Sequence, residues 1–166
     1  MSNPLNLSAP TGEPHMDYSR EFDYPVRDVF RAHTDPELFA RWIGPQDLAT
    51  RIDVFEARTG GAYRFVQCRG EDEYAFRGVF HTLRQDDFVL QTFEFEADPN
   101  VVTLEYSTFT DLPGGRSRLS GRSLYPSVQA RDTFLSNGME EGMSSGYDQL
   151  DDLLASLPAD TPEGRE

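Results

Sequence analysis

Lysine is missing from this 166-residue chain, and every one of its fifteen basic residues is an arginine. That excludes a Schiff-base lysine, a low-pKa amine and the lysine of a phosphate-cradling loop, all of which need an ε-amino group. Cysteine is nearly as scarce. Cys68 stands alone, so an intramolecular disulfide is ruled out, and no Cys/His cluster has the spacing of zinc ligands. Positive charge is outweighed, with 29 acidic residues against 15 basic and a formal net charge of -14. Binding to phosphate backbones or anionic lipid rests on Lys and Arg releasing counterions, so neither nucleic acid nor a membrane surface is an expected partner. No apolar run approaches the roughly twenty residues of a membrane span, and residues 1–16 offer neither a basic n-region nor an apolar h-region. The expected setting is reducing and cytoplasmic.

A chain of this length suits one domain with one core. Residues 1–16 and 158–166 are rich in Pro, Gly, Ser, Asp and Glu, and such compositions bury too little apolar area to offset ordering entropy. They read as disordered tails around a folded unit over 17–157. After a short strand ending near Tyr24, Pro25 opens a helix whose apolar face is Val26, Val29, Phe30 and His33. A second helix follows. Its start has two competing caps, Thr34 with Glu37 as a capping box or Asp35 before Pro36, and Leu38, Phe39 and Trp42 form its apolar side.

From about 49 to 125 the hydrophobic period is two, with turn residues every ten or so positions. The predicted strands are 49–57, 62–69, 73–83, 87–96, 100–109 and 116–125, an antiparallel meander. In the third, Tyr74, Phe76, Gly78 and Phe80 share one face and His81 the other. Beyond them, Leu135, Met139, Met143, Tyr147, Leu150, Leu154 and Leu157 recur at steps of three and four and predict one long amphipathic helix. Gly138, Gly142 and Gly146 fall within it, each costing about 1 kcal/mol relative to alanine in a helix interior, so the helix needs tertiary support. Glycines four apart give a smooth strip beside Met139, Met143 and Tyr147. That strip permits close contact with the sheet or free space for a ligand.

Local motifs carry a resemblance. The run from Phe22 to Glu37, followed by Arg41-Trp42-Ile43-Gly44-Pro45, resembles the opening of the activator-of-heat-shock-ATPase branch of the START-like (SRPBCC) superfamily. Arg58 to Phe65, Phe76 to Phe80, Gly114 to Leu119 and Gly138 to Gly142 are similar to its later motifs. The resemblance implies an α+β helix-grip fold: a curved seven-stranded antiparallel sheet around a long C-terminal helix, with two short helices after the first strand and a cavity between sheet and helix. Members include lipid and hormone binders, cyclases and aromatases, and a stress-response co-chaperone domain, so fold alone does not fix function.

Within that frame the ligand-cavity candidates are Trp42, Phe65, Phe76, Phe80, Phe93, Tyr106, Met139, Met143 and Tyr147: rigid aromatic walls with two adaptable thioethers. Phe95 and Phe109 belong to the same aromatic set, and ordinary core packing is the competing role for each. His81 has the chemistry of a general base but the strand phase points it away from the cavity. His33 reads as packed or capping, His15 as part of the tail, and Cys68 as a small structural side chain. Arg58 and Arg64 either bind a carboxylate or pair with neighbouring acids. Glu140, Glu141, Asp148, Asp151 and Asp152 read as the wet face of the last helix. The leading expectation is a binder of a small apolar or polycyclic ligand without covalent catalysis, with no catalytic residue, metal or cofactor assigned. The alternatives are a regulator of a heat-shock chaperone ATPase and a cyclase- or aromatase-type enzyme using the same cavity. A monomer and a homodimer through an exposed strand edge both fit.

Overall fold

Asp35 settles how the two short helices are cut from one stretch of chain. In the computed structural model, which describes residues 3–158, helix α1 (Val26–Thr34) ends and helix α2 (Pro36–Trp42) begins at this residue. Its Oδ1 accepts from the Glu37 amide at 2.9 Å and the Leu38 amide at 3.4 Å, satisfying two of the helix's orphan donors. Of the two caps open to the sequence, Asp35 is therefore the one used. Thr34 instead donates back to the Phe30 carbonyl at 3.1 Å. The helices dock through Val29, Phe30, Ala32, Leu38 and Trp42, all buried, and the Trp42 indole N–H donates to the Ala32 carbonyl at 2.9 Å.

The strands are β1 (Asn6–Ser8), β2 (His15–Phe22), β3 (Ala49–Phe55), β4 (Ala62–Arg69), β5 (Asp72–Arg84), β6 (Phe88–Phe95), β7 (Val102–Leu112) and β8 (Arg116–Leu124). They form one antiparallel sheet in the order β1-β2-β8-β7-β6-β5-β4-β3. The sheet thus has eight strands rather than the expected seven. The additional one is β1, three residues paired with Ser19, Tyr18 and Asp17, too short to show any alternation. Its presence also corrects the reading of 1–16 as a tail. Arg131, itself buried, donates to the Pro10 carbonyl at 2.6 Å and the His15 carbonyl at 3.1 Å, holding the segment that leads into β2. The proposed C-terminal tail falls almost wholly on residues 159–166, outside the described residues, as do residues 1–2. Register shifts between Ile52 and Val54 and between Phe80 and Thr82 are bulges of the kind that bend a sheet.

The long last helix is interrupted. Helix α3 (Val128–Ser136), capped by the Ser127 hydroxyl at the Ala130 amide, stops two residues short of helix α4 (Met139–Ser156). The break lies at Asn137 and Gly138. Gly138 sits at φ +81°, a left-handed conformation that costs glycine nothing and ends a helix. Periodicity runs through the break because Leu135 and Met139 remain four apart, which is why one helix was expected. Tyr147, Leu150, Leu153 and Leu154 of α4 are buried against the sheet and join Phe22, Phe30, Phe65, Phe80, Phe109 and Leu119 in the core.

The opposite sheet face carries a set of arginine–carboxylate pairs. Arg64 holds Glu96 at 2.8 Å and also binds Asp53, Arg77 holds Glu94 at 3.0 Å, and Arg122 holds Asp17 at 2.7 Å. Arg64 is therefore paired with acids, while Arg58 stays largely exposed near Glu56. No helix among the described residues is long and apolar enough to cross a membrane.

Candidate ligand cleft

A cleft of ≈ 280 Å³ opens between the first half of α4, the Ile43-Gly44-Pro45 loop and the inner face of β4 to β6. Its floor is a row of rings. Phe65 and Phe76, cross-strand partners, stack at 5.1 Å and 22°, and Phe76 continues onto Phe93 at 5.4 Å and 22°. Near-parallel rings on adjacent strands make a flat apolar surface. The roof is Met139, Gly142, Met143 and Gly146. At one end Trp42 stacks on Tyr147 at 5.7 Å and 25°.

Three glycines shape the cleft. At Gly146 an added Cβ would lie 3.7 Å from the Trp42 carbonyl, so α4 rests close on the end of α2. At Gly142 an added Cβ would meet nothing within 4 Å, leaving that stretch of roof open. Gly44, at φ +83°, allows the loop to lie directly on Gln67, whose amide donates to the Ile43 carbonyl at 3.2 Å.

The polar side chains of the lining belong to Gln67 and Tyr147. Burial holds the Tyr147 phenol well above its usual range, and its ring lies 6.4 Å from that of Tyr18. It therefore stays protonated at neutral pH, a donor and acceptor rather than a charge. The Tyr18 ring occupies space that Gly121 leaves free. Among the described residues, no group of three or more His, Cys, Asp and Glu is placed to hold a metal ion.

Seven of the nine expected residues meet here: Trp42, Phe65, Phe76, Phe93, Met139, Met143 and Tyr147. Phe80 lies on the same sheet face but farther along β5, in ring contact with Tyr63 at 5.2 Å and Phe55 at 5.9 Å. Tyr106 does not belong to the cleft. It pairs with Leu90 and Arg122 on the outer face, because β7 turns Thr103, Glu105, Ser107 and Phe109 inward. His81 points outward, as its phase predicts, and lies 2.7 Å from the Thr82 hydroxyl. His15 belongs to β2 rather than to a tail.

Sequence reasoning missed Glu105. Its two oxygens accept from Ser123 and Thr103, each at 2.6 Å, and burial pushes its pKa up to about 7. The available signal was the small hydroxyl-bearing set Thr103, Ser107, Ser117 and Ser123 in phase with it on β7 and β8. It was masked by Leu104 and Tyr106, which look like core residues but face outward. Arg20 was also missed. It is 1% exposed and binds Asp148 and Asp151, so these two acids are not simply a wet face.

A bent antiparallel sheet closed by a C-terminal helix over an apolar cleft defines an α+β helix-grip domain of the START-like class. The family model described as Activator of Hsp90 ATPase homolog 1-like protein matches residues 23–155, and the chain belongs to that family. No curated protein sequence matches it. Among solved structures, a Rhodobacter sphaeroides protein is 22% identical with a TM-score of 0.83, covering 93% of this chain and 100% of its own. An Arthrobacter aurescens protein is 21% identical with a TM-score of 0.83, covering 97% of each chain. CalU16 from Micromonospora echinospora is 16% identical with a TM-score of 0.59, covering 94% of this chain and 88% of its own. These likenesses establish the fold.

Proposed function

We propose that the protein binds a small, flat, predominantly apolar ligand in the cleft and forms no covalent bond to it. The observation that carries this reading is the stacked floor of Phe65, Phe76 and Phe93 beneath a roof left open at Gly142. At ≈ 280 Å³, the cleft sits just under the roughly 300 Å³ lower end of small-molecule pockets, which suits a compact ligand rather than a long lipid. Met139 and Met143 adapt to an irregular outline. The polar side chains of the lining, Gln67 and Tyr147, are both neutral at pH 7. Neither is a ready proton carrier near neutral pH, which favours binding over acid/base catalysis at this site.

Native mass spectrometry of protein purified from its own host, compared with the denatured mass, tests the reading. A defined adduct lost on denaturation supports it. Equal masses, together with failure to take up a naphthalene-sized probe, remove it. The family's description supports a second reading, a regulator of a heat-shock chaperone ATPase. ATP turnover by the host chaperone unchanged on adding this protein removes that one.

A further inference from the structure

Away from the cleft lies a second, more enclosed space of ≈ 40 Å³ between the α1–α2 pair and strands β3 to β7. It shares no lining residue with the cleft among the described residues. Phe55, Phe80, Val89 and Phe109 make it largely apolar, but His33, Gln91 and Ser107 also face it. The His33 ring sits edge-on between Trp42 at 4.8 Å and Phe109 at 5.1 Å. Its Nδ1 lies 2.8 Å from the Val29 carbonyl oxygen. A carbonyl only accepts, so the proton resides on Nδ1 and Nε2 presents a lone pair. Nε2 is buried and has no hydrogen-bond partner among the described residues.

We propose that this chamber is a permanent water site in which one molecule donates to His33 Nε2 and hydrogen-bonds Ser107 or Gln91. A cavity needs about 10–15 Å³ to hold one water, so ≈ 40 Å³ holds roughly two or three and no organic ligand of useful size. Wholly apolar cavities of this kind stay dry. An acceptor on the helix side, with an amide and a hydroxyl on the sheet side of the same space, supplies the partners that a buried water requires. A charged guest does not fit, because burial keeps His33 neutral with its pKa lowered to about 4. The same shift makes His33 a poor base, so it holds the water without activating it. This inference stands apart from the ligand proposal and does not depend on it.

Water-selective NMR on the full chain tests it, with the Val89 methyls as reporters. Cross peaks to long-lived water are expected in the wild type, with no methyl shift under xenon. His33→Leu is expected to abolish those cross peaks and admit xenon, and Ser107→Ala to weaken them. Absence of long-lived water at Val89 in the wild type, with xenon shifting its methyls, overturns the proposal. So does water that persists undiminished in folded His33→Leu. If that variant fails to fold, the wild-type measurement and Ser107→Ala still decide.

Discussion

Arg20 donates to Asp151 Oδ2 at 2.7 Å and, through the same nitrogen, to Asp148 Oδ1 at 3.0 Å, fastening β2 to α4. The guanidinium is 1% exposed, whereas the Asp151 and Asp148 side chains are 19% and 55% exposed. Its charge is thus neutralised from one edge by two carboxylates three residues apart on one helix face. The clamp also fixes the helix that roofs the cleft.

Breaking this clamp exposes the asymmetry. Arg20→Met strands two carboxylates, one of them mostly buried, and is expected to lose about 2–3 kcal/mol of stability. Asp151→Asn is expected to lose about 1–2 kcal/mol, because Asp148 still faces the arginine. Asp148→Asn, at a well-solvated position, is expected to lose under about 1 kcal/mol. Urea unfolding midpoints in that order support the account.

Two glycines predict opposite outcomes for the same substitution. A Cβ at Gly121 would lie 2.2 Å from the Tyr18 ring, and displacing that ring is expected to cost about 1–3 kcal/mol. Gly142 is interior to α4 with open space where its Cβ would go, so Gly142→Ala is expected to add about 0.5–1 kcal/mol. Thermal melts should move down for the first and up for the second.

Glu105 and His33 give opposing pH slopes. Burial raises the Glu105 pKa from 4.5 to about 7. The folded state therefore holds a proton that the unfolded state releases, and the stability favoured by the neutral acid is lost as pH rises across that window. Burial lowers the His33 pKa from 6.5 to about 4. Here the unfolded state takes the proton first, so stability is full above pH 6.5 and lost as pH falls through the window. Glu105→Gln is expected to gain on the order of 2 kcal/mol at pH 8, and little at pH 4. Between pH 4.5 and 6.5 its stability should rise more steeply with pH than that of the wild type, as measured by denaturant titration at each pH.

Most of the cleft was legible because it is built from side chains whose phase is set by strict alternation. The inward phase of Phe76 on β5 and the four-residue step from Met139 to Met143 and Tyr147 follow from spacing alone, whereas Phe80 shares that face but lies beyond the cleft. Strand β7 was not legible in the same way. There Val102 and Leu104 face outward and are 42% and 37% exposed, while Thr103, Glu105 and Ser107 face inward. A rule that apolar means inside therefore inverts the strand and misplaces Tyr106. Strand β1 offered three residues and no period. The break before α4 depends on the backbone of Gly138, which periodicity cannot register. Arg20 was unreadable as a core residue because its partners lie more than 120 positions away on α4.

Trp42, the single tryptophan, stands in the wall of the cleft and reports on it directly. The central claim is tested by titrating wild type and Gly142→Leu with 2-naphthol and following quenching of Trp42 emission. The account predicts saturable quenching in the wild type and at least a roughly tenfold loss of affinity when the leucine fills the roof, with no fall in the unfolding midpoint. No saturable quenching in the wild type, or equal affinity in a folded Gly142→Leu variant, would contradict it.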